Sequence, residues 1–164
     1  MGAVIVAGCA QSPYRMARKE MTPMPDTASD PAQWRGVKAP SLAALEIMAG
    51  EVFRQLPRHF RDLCADVVIQ VDDFPSDEVL DDMAAESEFD LLGLFQGIGL
   101  PFRTESAPVQ MPNMIWLYRR PILAYWSTHR DPLEAIIAHV LVHEIGHHFG
   151  LSDAYMHAIE DKAG

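Results

Sequence analysis

The sequence predicts an α+β domain, a short mixed sheet packed against one buried helix and the helices beside it. Three observations predict it. Short strand-forming runs, "DVVIQV" at 66–71 and "NMIWLYRR" at 113–120, are rich in β-branched or aromatic residues. Longer segments at 41–56 and 131–150 repeat apolar residues at helical spacing. The order is helix, strand, short helix, strand, strand, helix, helix, helix, which suits helices layered on a small sheet. Apolar residues make up 49% of a 164-residue chain, enough for one core.

Residues 1–38 read as a flexible N-terminal arm, because Pro13, Pro23, Pro25 and Pro31 break any regular pattern. Trp34 could dock the arm onto the body. "VAGC" at 6–9 resembles a lipid-attachment box, but no basic residue precedes it and its apolar stretch is too short. A start at Met16, Met21 or Met24 accounts for it equally well. The domain itself spans 39–164. Ser41 caps its first helix, Leu42, Leu45, Met48, Val52, Phe53 and Leu56 form the apolar stripe, and Pro57 follows the last turn. After the strand at 66–71, Ser76 caps a short helix with acids in its first turn. That acidic run lacks the spacing and central glycine of a calcium loop. "FDLLGLFQGIGLPF" at 89–102 reads as a strand and a glycine-rich turn. Pro121 opens the next helix.

The formal net charge of −10 and a pI near 5.0 argue against nucleic acid or an anionic membrane as the main partner. Cys9 and Cys64 are too few and too far apart for a disulfide framework, so a reducing, cytoplasmic location is expected, with Cys64 as a small core residue. No apolar run has the length of a membrane span.

The chemistry concentrates in "DPLEAIIAHVLVHEIGHHFG", residues 131–150. Asp131 is the expected N-cap, Pro132 the first helical residue, Glu134 a capping-box acid and Gly150 the residue after the C-cap. The helix is apolar on nearly all sides and therefore buried, so its histidines need partners. His143 and His147 are four apart and point the same way, about 5–6 Å from one another. Two imidazoles so placed can meet one ion at about 2.0–2.1 Å each. Glu144 is rotated about 100° from His143, beside such an ion instead of on it.

A catalytic zinc site takes three protein ligands. Asp153, six residues past His147 and beyond the Gly150 turn, is the expected third. Ser152 and Asp153 also suit the N-cap of a last helix, and Glu160 is a rival ligand. His139 reads as a neighbouring or core histidine and His148 as structural, bonded to a backbone carbonyl. His157 and His59 read as surface or helix residues. Gly146 departs from helix preference, which points to a close contact there. Tyr118, Arg119 and Arg120 are oxyanion candidates by residue type alone.

These residues resemble a known family. "HVLVHEIGHHFGLSDAYMHAIE", with "DVVIQVDDFPSDEVL", "DLLGLFQGIGL" and "MIWLYRRPIL" ahead of it, is similar to the small bacterial zincin-like metallopeptidases, the minimal zincins, over about residues 40–161. The resemblance implies a compact zincin-like α+β domain. It also implies Zn²⁺ at His143, His147 and Asp153, and Glu144 as general base on metal-bound water. The substrate would be a peptide or unfolded protein, extended along a sheet edge that 93–99 or 113–118 could provide. A metal-holding peptide-binding module with little or no hydrolysis is the alternative.

Overall fold

The computed structural model describes residues 2–5, 32, 35–103 and 112–157. Four strands form one mixed sheet: β1 (Gly2–Ile5), β2 (Val67–Asp72), β3 (Leu91–Gln96) and β4 (Asn113–Tyr118), in the order β1-β3-β4-β2. β3 runs antiparallel to both β1 and β4, whereas β2 and β4 are parallel. The helices are α1 (Leu42–Gln55), α2 (Arg58–Leu63), α3 (Asp77–Asp82), α4 (Arg119–Thr128) and α5 (Leu133–His148), followed by a helical turn over 153–157.

The predicted α+β architecture is the one observed. α1 and α5 cover one face of the sheet. Leu45, Ala49 and Val52 of α1 meet Ile136, Ile137, Val140 and Leu141 of α5, over Val71, Phe95, Ile115 and Leu117. Side chains alternate across a strand, so Leu94, Trp116 and Tyr118 face the other way, toward Val79 and Met83 at α3. Cys64 is 2% exposed, and burial, then Asp66, pushes its thiol up to about 11, so it serves as a core residue.

Several boundaries differ from expectation. Gly2–Ile5, expected in the arm, pairs with β3 as an edge strand. Most of the arm, with Cys9 and Trp34, lies outside the described residues, as does Glu160. α2 has no buried residue and no side-chain cap, so it carries no periodic signal. α5 starts at Leu133: Pro132 is extended (ψ 144) and occupies the N-cap position, without a side-chain cap bond, so Asp131 is not the cap. α4 begins at Arg119, with Pro121 in its first turn, where a missing N–H costs nothing. Among the described residues, no helix is long and apolar enough to cross a membrane.

Candidate metal centre

α5 ends in a Schellman motif. The N–H of Gly150 donates to the carbonyl of His147 (2.9 Å) and that of Leu151 to the carbonyl of Gly146 (3.0 Å). Gly150 has φ +79, which glycine adopts without strain. This turn sends the chain back along the helix end. Ser152 then caps the turn over 153–157, its Oγ accepting from the N–H of Tyr155 at 3.3 Å. The capping role open to either residue thus falls to Ser152.

The Asp153 carboxylate points at the histidines. Its Oδ1 lies 2.9 Å from Nε2 of His143 and 3.2 Å from Nε2 of His147. One donor atom from each of the three falls within 4.8 Å of the others. Ligands about 2.0–2.2 Å from a tetrahedral zinc are about 3.3 Å apart, so small relaxations open this cluster to an ion.

The donor chemistry fits a metal. Nδ1–H of His147 donates to the carbonyl of Leu151 at 3.1 Å, which leaves the Nε2 lone pair facing the cluster. That Nε2 is buried and makes no hydrogen bond within the described residues. Burial holds His143 below the ordinary imidazole range, against the pull of its Asp153 hydrogen bond, and His147 adds to the depression. A neutral imidazole is the form that ligates. Asp153, 55% exposed at its side chain, stands on the solvent side of a cleft of about 450 Å³. Phe95, Ile98, Phe102 and Leu151 give that cleft an apolar wall.

Glu144 is fully buried on the next face of α5, against β3. Gly93 makes room for it. A Cβ at position 93 would stand 2.6 Å from Cγ1 of Val140, 3.1 Å from Oε1 and 3.2 Å from Cγ of Glu144. Gly93→Ala is therefore expected to destabilise the fold by about 1–3 kcal/mol through overpacking. Urea denaturation measures this, and wild-type stability in the variant would mean that β3 and α5 do not meet there. A glycine within an apolar strand run was the available sequence signal. Gly146 has a similar cause: a Cβ there would fall 2.2 Å from the sulfur of the buried Met156.

The other histidines separate as their surroundings dictate. His148 is fully buried; its Nε2–H donates to the carbonyl of Leu63 (3.0 Å) and its Nδ1 accepts from Nδ2 of Asn113 (3.0 Å). His139 neighbours His143, with ring centroids 6.3 Å apart. His59 packs on Phe60. His157 is nearer the cluster than its sequence position suggests: Nδ1–H donates to the Asp153 carbonyl at 2.8 Å and its ring meets His143 edge-on.

Sequence reasoning missed Asn113. It clamps the loop beside the cleft, donating to the carbonyl of Ile98 and accepting from its N–H, both at 3.0 Å. An inward-facing amide opening an apolar strand must find such partners.

The oxyanion candidates do not reach the centre. Tyr118 is buried on the opposite face of the sheet, where burial, then Asp72 and Glu144, pushes its phenol up. Arg119 pairs with Asp73 at 2.6 Å and with the carbonyl of Pro40 at 3.1 Å, and Arg120 stands 4.0 Å from Asp73. Nor does 113–118 form a sheet edge, since β4 is paired on both sides.

The family model described as zincin-like metallopeptidase matches residues 64–163, from the end of α2 past Asp153. No relative among curated proteins matches the chain. With the motif helix, strands β2, β3 and β4 and the His-His-Asp cluster inside the matched span, the chain belongs to the zincin-like metallopeptidase family.

Proposed function

We propose that this protein is a zinc-dependent peptidase, with His143, His147 and Asp153 holding the ion and Glu144 acting as general base. The observation that carries the reading is the convergence of three donor atoms on one point, with Glu144 on the adjoining face of the same helix. When bound, zinc supplies Lewis acidity that acidifies water and polarises a carbonyl. Glu144 takes the proton of the attacking water and returns it to the leaving amine. The Leu151 carbonyl keeps His147 in the ligating tautomer, and burial keeps His143 neutral. The apolar wall of Phe95, Ile98 and Phe102 favours an apolar side chain beside the scissile bond.

Protein purified without nickel resin is expected to carry about one zinc per chain, the load of a single three-ligand site. Cleavage of unfolded casein should stop with a chelator and resume with zinc. Cleavage indifferent to the chelator would sink the reading.

One observation favours a second reading, a peptide-binding module with little hydrolysis. Glu144 has no exposed surface, and a general base must meet water. Metal-loaded protein that binds unfolded casein without cutting it would select that reading.

A further inference from the structure

The face of the sheet turned away from the metal centre carries a second cavity, of about 240 Å³, between β2, β3, β4 and α3. Phe74, Trp116 and Tyr118 line it together with three carboxylates, Asp72, Glu78 and Asp82. None of its lining residues is basic. Leu94 and Tyr118 in its floor are buried, whereas the three acids are exposed. The cavity thus has an apolar, aromatic floor and an anionic rim.

The placement of the acids follows from α3. Val79 and Met83 pack toward Leu91, Leu94 and Tyr118. Glu78 and Asp82, four apart, share the adjoining stripe and reach the cavity. Asp77 and Asp81 lie one stripe further round and do not line it. A favourable helix dipole accounts for Asp77 and Glu78 in the first turn. It does not account for Asp82, the last helical residue, where the dipole opposes an acid. Asp66 and Asp73 are paired with Arg103 and Arg119, but Asp72, Glu78 and Asp82 have no ion-pair partner among the described residues.

Tyr118 supplies an independent observation. It is 3% exposed, yet its hydroxyl has no hydrogen-bond partner among the described residues. A buried hydroxyl ordinarily finds one. Its oxygen is not sealed in the core either, so the surface left to it faces the cavity it lines. Burial, then the charges of Asp72 and Glu144, keeps the phenol protonated, with lone pairs free for a donor. Asp72 stands directly opposite Tyr118 in the β2–β4 register, so the two side chains project from the same face.

We propose that this cavity binds an organic cation, a primary ammonium on a short alkyl stem. The head lies between the Tyr118 hydroxyl and the Asp72 carboxylate, with Glu78 and Asp82 adding negative charge from α3. The stem lies along Leu94, Met83 and Trp116. The only donor of the Trp116 side chain is already bonded to Gln96 Oε1 at 3.3 Å, so what Trp116 offers a ligand is its ring. Aromatic rings favour an organic cation. A neutral ligand would gain nothing from three uncompensated carboxylates. A metal ion does not fit, because among the described residues only His143, His147 and Asp153 bring three donor atoms within 4.8 Å of one another.

The test is a nuclear magnetic resonance titration of the full chain with n-pentylammonium at fixed ionic strength. The indole N–H resonance of Trp116, identified by Trp116→Phe, is expected to shift and saturate with a Kd on the order of 1 mM, the scale for a ligand of so few atoms. 1-Pentanol, of equal length and uncharged, should bind about tenfold more weakly or worse, as the loss of a charge-assisted contact implies. Glu78→Gln with Asp82→Asn should weaken pentylammonium about fivefold, a value suited to exposed charges. Asp77→Asn with Asp81→Asn removes the same charge from the same helix and should change Kd by less than about twofold, because those carboxylates are further off and screened.

Tyr118→Phe separates a ligand-binding phenol from a merely structural one. The variant should match or exceed wild-type stability in urea, since an unpaired buried hydroxyl is gone, while binding pentylammonium about threefold more weakly for want of one hydrogen bond. Nα-acetyl-lysine N-methylamide, a lysine capped as it would be within a chain, tells the two sources of an alkylammonium apart. Binding of both probes assigns the cavity to a basic side chain of a polypeptide; binding of pentylammonium alone assigns it to a free amine. No saturable shift, equal affinity for pentanol, equal losses in the two acid pairs, or unchanged affinity in Tyr118→Phe would each overturn the proposal. Zinc and bond cleavage enter none of these readouts, so failure here leaves the peptidase reading untouched.

Discussion

Glu144→Gln is expected to lower turnover of an unfolded protein by about 10²–10⁴-fold, the contribution of a positioned general base, with bound zinc unchanged. The side chain is fully buried and fits beneath Gly93. An amide of the same shape preserves that packing but cannot take a proton from water. The loss should therefore fall on kcat, with KM little altered, because the residue acts on the reacting water and not on the peptide. Steady-state kinetics and elemental analysis on the same preparation measure both. Retained turnover would remove Glu144 from the base's role. Lost zinc would mean that the carboxylate holds the ion or its surroundings together.

Asp153→Ala is expected to weaken zinc binding by more than about 100-fold, beyond what loss of a supporting hydrogen bond to a ligand costs. Oδ1 of Asp153 is the point on which both imidazole nitrogens converge, at 2.9 and 3.2 Å. Without it, two histidines remain, too few for the usual three-ligand site. The fold should survive, because the local cap belongs to Ser152. Competition against a chromogenic chelator reads the affinity, and circular dichroism reads the fold. Ser152→Ala is the matching control, with slightly lower stability and wild-type zinc affinity. If Asp153→Ala keeps its zinc while Ser152→Ala loses it, the carboxylate is not a ligand and the turn matters only as a scaffold.

The two substitutions report on different steps. Glu144→Gln separates chemistry from metal loading, whereas Asp153→Ala separates metal loading from folding. Together they distinguish a peptidase from a metal-holding peptide binder.

Much of the fold was legible in the sequence because its signals are local. Ser41 and Ser76 cap α1 and α3 with bonds of 3.2 and 3.4 Å, as short polar residues before an apolar run should. The strands at 91–96 and 113–118 fall within the apolar runs that suggested them, and the strand at 67–72 lies one residue past the expected 66–71. Where a local signal was weak or doubled, the reading slipped. Asp131 and Pro132 both suit a helix start, and the extended ψ of Pro132 decided between them. α2 lies entirely on the surface, so no apolar stripe marks it.

The sequence by itself determined the motif helix. Its period places His143 and His147 on one face and Glu144 on the next, and Gly150 ends it in a turn whose geometry follows from glycine's freedom at positive φ. Only the tertiary structure decided what those side chains meet. Burial against β3 made Gly93 the floor over Glu144; the pleat sent Tyr118 to the far face; Asn113 reached His148 across 35 positions of chain. It also seated Gly2–Ile5 on β3, although those residues carry too short a pattern to specify a partner. The physical reason is one of range. Periodicity, caps and turns are set by neighbours a few residues apart, whereas strand order, facing and the convergence of donor atoms depend on surfaces that exist only once the chain has packed.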